Sequence, residues 1–294
     1  MTAPGVSRRQ LLVGGAALSL VTACSSDDGG GDDASPSSTT VAGGANTLLV
    51  LLPQQGVLTT NGEQRVPVAV AADGVPVRED LPPRQFQIRT DAGDPVVVDV
   101  DPHADGIPTP YYPVRFTPEA AGIHEITVVG EDGFNPITFD ITDTTEIPSI
   151  GDALPALDTP TTGNARGVTP ICTRDPACEL HDVTLREVLS TGSPVALLVA
   201  TPEFCQVAIC GPVLDLLVEA LPDFPTVKGL HVEVYADPRS SADPTAAGLA
   251  PTTEALHLPF EPTLYLADAS GTIVNRLDSV FDRVELQDGL AQIA

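Results

Sequence analysis

Five cysteines are the residues through which this 294-residue chain could do redox or metal chemistry. Two of them, Cys205 and Cys210, stand where a strand pattern gives way to a helix pattern. The run Pro194-Val195-Ala196-Leu197-Leu198-Val199-Ala200 is continuously apolar and reads as a buried strand. It leads through Thr201-Pro202-Glu203-Phe204 into Cys205, and a helical pattern then continues to about Leu221. A thiol at such a turn lies beside the N–H groups and positive end of a helix, which favour thiolate. Thiolate is the species that attacks a disulfide. Within a regular helix, positions five apart point about 140° away from each other, at about 100° per residue. A bond between Cys205 and Cys210 therefore requires Cys205 to precede the helix, or the first turn to be unwound. Glu203, two residues before Cys205, works against the helix dipole by raising the thiol pKa.

Cys172 and Cys178 lie just before Thr184-Leu185-Arg186-Glu187, a capping box that predicts a short helix ending at Gly192. A structural disulfide is the expectation for this pair, and a resolving or relay pair is the alternative. His181 could join the two cysteines as a ligand, but the spacing shows no fourth donor. Neither a metal nor another cofactor is therefore expected. His103 and His124 read as surface or strand side chains without a ligand role, and His231 and His257 as surface or partly packed residues rather than bases.

The fifth cysteine belongs to the N-terminus. Ser7-Arg8-Arg9-Gln10-Leu11-Leu12 resembles a twin-arginine export signal. The apolar stretch after it is shorter than the about 20 residues a spanning helix needs. It ends in Val21-Thr22-Ala23-Cys24, which resembles a bacterial lipobox. That resemblance implies removal of residues 1–23, lipidation of Cys24 and anchoring at the extracytoplasmic face of the cell membrane. Residues 24–44 are acidic and rich in Gly and Ser, as a disordered tether would be. Four cysteines then remain in a compartment that permits disulfides. They allow three pairings, and the short spacings favour 172–178 and 205–210.

Composition narrows the partners. The formal net charge is −26 and Lys228 is the single lysine. Phosphate binding needs neutralising cations, so nucleic acid is excluded as a partner, and so is a polybasic membrane patch. With 29 prolines, 25 glycines and no tryptophan, long helical bundles are not expected either.

Two stretches have enough apolar pattern to fold. In residues 45–143, candidate strands at 47–52, 65–71, 85–89, 96–101, 112–116, 123–129 and 136–141 alternate with Gly, Pro and Asp turns, a rhythm that suggests a β-sandwich. Phe116-Thr117-Pro118-Glu119-Ala120-Ala121-Gly122-Ile123-His124-Glu125-Ile126-Thr127-Val128 resembles the late-strand corner of immunoglobulin-like domains. Residues 144–170, rich in Pro, read as a linker partly draped over the second folded stretch. In residues 171–294 the order is helix, strand, helix, strand, a hairpin at Asp268-Ala269-Ser270-Gly271, and a closing helix over 284–293.

From about residue 180 onward the chain resembles the thioredoxin-like superfamily. The resemblance rests on Cys205 and Cys210 after the apolar strand, on Pro212-Val213-Leu214-Asp215 in the helix, and on Phe260-Glu261-Pro262-Thr263-Leu264-Tyr265-Leu266. It implies a cis-proline at Pro262 that faces the cysteines, which would bring Glu261, just before it, near the thiol as a second opposing acid. The spacing is Cys-x4-Cys rather than Cys-x2-Cys, Phe204 stands where Trp is common, and Val199 lies about where a buried acid is usual. The expected fold is thus two-domain, with an N-terminal all-β immunoglobulin-like sandwich and a C-terminal α/β thioredoxin-like domain. The resemblance implies thiol–disulfide exchange with exported proteins, in which Cys205 attacks, Cys210 resolves and Pro262 shapes the substrate groove. The alternatives are a non-catalytic binding or scaffold lipoprotein, a peroxiredoxin-like peroxidase suggested by the Cys-x4-Cys spacing, and a copper chaperone suggested by Asp237-Pro238-Arg239 and His257.

Overall fold

The computed structural model describes residues 46–294, except 54–55, 80, 91–92, 132 and 206–207. The twin-arginine-like segment, Cys24 and the acidic tether lie outside the described residues. Among the described residues, no helix is long and apolar enough to cross a membrane.

The first stretch forms ten strands: β1 (Asn46–Val50), β2 (Leu58–Thr59), β3 (Gln64–Ala72), β4 (Val75–Pro76), β5 (Arg84–Thr90), β6 (Val96–Val100), β7 (Tyr112–Phe116), β8 (Gly122–Val128), β9 (Phe134–Asn135) and β10 (Ile137–Thr142). They make two five-stranded sheets. One has the order β4-β3-β1-β9 with β7 also on β3, and the other has the order β2-β10-β8-β5-β6. The alternation along β5 and β8 turns Phe86, Ile88, Ile126 and Val128 inward, as a period of two requires.

The second stretch forms α1 (Leu185–Thr191), β11 (Val195–Val199), α2 (Cys210–Ala220), β12 (Lys228–Val232), α3 (Pro251–Ala255), β13 (Thr263–Ala267), β14 (Ile273–Asp278) and α4 (Arg283–Ile293). The capping box is present: Thr184 accepts from the Glu187 N–H while the Glu187 carboxylate accepts from the Thr184 N–H. Gly192 ends α1 in the left-handed region at φ 67°, where a Cβ would be strained. The sheet order is β12-β11-β13-β14. β11 is parallel to β12 and antiparallel to β13, and β13 pairs antiparallel with β14. All five residues of β11 are buried, as their unbroken apolar run predicts.

The two stretches do not stand apart. Strand accounts for 33% and helix for 18%, so the class is mixed α/β. Residues 43–294 form one compact unit, and the sheets include a half-barrel. This corrects the expected architecture of an all-β immunoglobulin-like sandwich followed by a thioredoxin-like domain. One reason lies in the core: a single apolar cluster contains Leu48, Val68 and Phe86 from the first stretch with Val195, Leu197 and Tyr265 from the second. Residues 144–170 bind the second stretch through backbone hydrogen bonds, with Gly151 N–H on Ile273 O (2.8 Å), Ile273 N–H on Asp152 O (2.9 Å) and Leu154 N–H on Gly271 O (2.8 Å).

The other reason is electrostatic. Arg65 of β3 is buried and its guanidinium forks onto Glu285 of α4, with Nε–Oε1 at 2.8 Å and Nη2–Oε2 at 2.5 Å. The same guanidinium donates to the carbonyls of Asp278 (3.1 Å) and Val280 (2.5 Å). Arg115 of β7 and the Tyr111 hydroxyl also bond Glu285. Asp282, the N-cap of α4, accepts from the Glu285 N–H and pairs with His103 at 2.8 Å. Gly106 (φ +82°) lies so close to α2 that a Cβ there would meet Leu216 at 2.6 Å.

Burial alone would raise the Glu285 pKa, but the Arg65 charge overrides it and holds the carboxyl at about 2. The folded value is below the ordinary 4.5, so this stabilisation is complete above about pH 5 and is lost as pH falls toward 2. Glu285→Gln leaves Arg65 buried with half its partner and should cost about 3–5 kcal/mol at pH 7. Urea unfolding from pH 7 to 3 should show this loss, together with a flatter acid dependence than that of the parent chain. An unchanged midpoint at pH 7 would exclude a stabilising role for the pair.

Candidate functional site

Helix α2 begins at Cys210, so Cys205 precedes it. This is the arrangement that the five-residue spacing demanded for a pair in contact. Phe204 closes a turn with its N–H on Thr201 O (3.2 Å), and Ala208 adopts φ +54°. Ile209, the N-cap residue, offers no side-chain cap. The first N–H of the helix, that of Cys210, donates instead to Cys205 Sγ at 3.3 Å. The sulfur thus takes the place of a capping oxygen, where the helix dipole favours negative charge.

The two thiols differ in environment. Cys205 is partly exposed and Cys210 is 0% exposed. Burial pushes the Cys210 thiol far up, and its hydrogen bond to Cys205 adds to the effect. Of the two, Cys205 is the residue that another molecule can reach.

Glu261–Pro262 is a cis peptide at the start of β13. Glu261 is held at about 6, first by burial and then by the charge of Cys205, so the carboxyl and the sulfur are electrostatic neighbours. Glu203, the other suspected acid, is paired with Arg239 (2.5 Å). The Asp237-Pro238-Arg239 loop therefore screens one of the two carboxylates that oppose the thiolate. From sequence this segment suggested only copper handling. His257 is exposed, adopts φ +53° and has Glu146 at 3.9 Å.

An apolar cleft of about 520 Å³ opens beside this constellation, lined by Leu49, Leu51, Ile209, Phe260, Glu261 and Val280. Its walls come from both stretches of the chain. A second cleft, of about 720 Å³, is lined by Cys172, Thr173, Pro202, Glu203, Gly211 and Arg239.

Cys172 and Cys178 correct one expectation. They do not form the structural disulfide: their sulfurs stand 3.8 Å apart, whereas a disulfide needs about 2.05 Å. His231, read from sequence as a surface or packed residue, is 1% exposed and places Nδ1 3.7 Å from Cys172 Sγ and 3.6 Å from Cys178 Sγ. His181 Nε2 lies 3.3 Å from Cys178 Sγ. The contact with Cys178, and after it the two imidazoles, draws the Cys172 thiol below its ordinary value against the effect of burial. His231 sits on a strand 59 residues from Cys172, and its sequence signal was only a histidine between Leu230 and Val232 in a strand.

As pH rises through about 6, Glu261 ionises and its charge opposes thiolate formation at Cys205. Glu261→Gln should therefore speed alkylation of Cys205 at pH 7 by roughly threefold and remove the inflection near pH 6. Peptide-resolved iodoacetamide labelling measures this, and an unchanged rate would show that the carboxyl does not control the sulfur. No family model matches the sequence, no curated protein matches it, and no solved structure matches the fold.

Proposed function

We propose that the protein is an extracytoplasmic, lipid-anchored thiol–disulfide oxidoreductase acting through Cys205 and Cys210. The observation that carries this reading is the asymmetry of the pair. One cysteine is partly exposed and its sulfur accepts the first N–H of a helix, and the other is buried with its proton tightly held.

In the reductive direction the Cys205 thiolate attacks one sulfur of a substrate disulfide. That S–S bond breaks, a mixed disulfide forms, and the leaving thiolate takes a proton. Cys210 then gives up its proton and attacks the Cys205 sulfur, which releases the second substrate thiol. The substrate gains two electrons and two protons, and Cys205–Cys210 becomes the disulfide. The oxidative direction reverses each step. Glu261 is the carboxyl whose charge reaches both sulfurs, and at about 6 it can accept the Cys210 proton and return it. Phe260 and Glu261, the two residues before Pro262, line the apolar cleft, which suits an extended polypeptide segment carrying the reacting cysteine. The twin-arginine-like and lipobox-like residues support export and anchoring through Cys24.

Cys210→Ser removes the resolving sulfur, so mixed disulfides should accumulate through Cys205 in cell envelopes. Non-reducing gels and mass spectrometry should recover them, and Cys205→Ser should abolish them. Absence of trapped partners, together with a Cys205–Cys210 disulfide that resists reduction below about −300 mV, would assign the pair a structural role. In the same cells Cys24→Ser should move the protein from the detergent phase to the aqueous phase, and retention in detergent would exclude anchoring through Cys24.

A further inference from the structure

The contacts among Cys172, Cys178, His181 and His231 have the dimensions of a coordination shell. Their four donor atoms all lie within 4.8 Å of one another. A tetrahedral zinc ion has metal–sulfur bonds of about 2.3 Å and metal–nitrogen bonds of about 2.0–2.1 Å. At tetrahedral angles these lengths place two sulfurs about 3.8 Å apart and a sulfur and a nitrogen about 3.6 Å apart. The structure has the two sulfurs at 3.8 Å and three sulfur–nitrogen separations at 3.3, 3.6 and 3.7 Å. The sulfurs are too far apart for a covalent bond.

The surroundings orient the donors. His231 Nε2 lies 3.1 Å from the Ala200 carbonyl, which accepts its proton and leaves the Nδ1 lone pair aimed at the sulfurs. That is the usual support for a metal-bound imidazole. The Cys178 N–H donates to Cys172 Sγ at 3.4 Å, which stabilises charge on that sulfur. Exposure is 7% at Cys172, 9% at Cys178, 2% at His181 and 1% at His231, so water is largely excluded. Two thiolates and a divalent ion sum to zero charge, which lowers the cost of burying them. The donor set has no oxygen, so it does not suit magnesium or calcium.

We propose that Cys172, Cys178, His181 and His231 form a closed, four-coordinate zinc site that clamps the loop before α1 onto β12. Two thiols lose their protons to solvent as the ion binds, and both histidines remain neutral. No coordination position is left open, so the ion is structural. It also braces the route to Cys205 from two sides. His231 holds Ala200 at the end of β11, and Thr173, next to Cys172, accepts the Glu203 N–H on Oγ1 at 3.2 Å.

The full chain, purified without chelator, should carry one zinc per molecule by elemental analysis. Reduced metal-free protein should take up one equivalent from zinc chloride against a competing chelator. Cobalt(II) chloride in place of zinc should produce the intense visible absorption of a tetrahedral thiolate site. His231→Ala should weaken zinc binding by at least about a hundredfold, whereas Cys205→Ser and Cys210→Ser should keep one equivalent. Should His231→Ala fail to fold, Cys178→Ser and the cobalt spectrum of the parent chain carry the same test. A Cys172–Cys178 disulfide in the purified protein, sub-stoichiometric zinc uptake by the reduced chain, or an octahedral cobalt spectrum would each overturn the proposal.

Discussion

Arg65 and Glu285 are separated by 220 positions in the chain and meet in a buried, two-pronged ion pair. Taking both charges out of water is costly, and the attraction compensates only when geometry and the remaining hydrogen bonds are good. Those conditions are met. The guanidinium also reaches two carbonyls at the end of β14 and just beyond it, and the carboxylate also accepts from Arg115 and Tyr111. The pair thus fixes the first turn of α4 against β3 and β7. Arg276 of β14 acts in a similar way nearby, reaching the Val57 carbonyl at 3.1 Å and that of Pro148 at 3.0 Å. These directional contacts set how the sheets sit together, whereas the shared apolar core supplies attraction without direction.

That union has consequences for the candidate site. The apolar cleft beside Glu261 exists only where Leu49 and Leu51 of the first stretch face Ile209, Phe260 and Val280 of the second. Gly106 lets its loop approach Leu216 on α2, the helix that starts at Cys210. The β-rich stretch is therefore part of the wall around the sulfurs. The local electrostatics are balanced between one favourable and one opposing influence. The helix N-terminus supports charge on Cys205, Glu261 resists it, and Arg239 removes Glu203 from the contest.

The two cysteine pairs illustrate how similar spacings lead to different chemistry. Cys205 and Cys210 flank a helix start, one partly exposed and one buried, which suits transfer of a bond between partners. Cys172 and Cys178 are both nearly enclosed and face two imidazoles. Enclosure with four convergent soft donors suits retention of an ion and disfavours exchange with a substrate.

The elements were largely legible in the chain because their causes are local. The capping box at Thr184 and Glu187, the unbroken apolar run of β11 and the alternation along β5 and β8 all act over a few residues. The requirement that Cys205 precede α2 came from helix geometry alone. Short or weakly patterned pieces such as β2, β4, β9 and α3 carried no comparable signal and form through tertiary contacts. The arrangement of the sheets was not legible, because periodicity says which face is apolar and not what covers it. A partner such as Glu285 for Arg65 can be found only in three dimensions. His231 is the clearest case within the site. A single histidine in a strand looks like packing until the fold brings that strand beside Cys172, Cys178 and His181. The sequence by itself determined which side chains could bear charge or donate a lone pair. The tertiary structure decided which of them converge, because convergence depends on sheet register and on buried ion pairs formed across the whole chain.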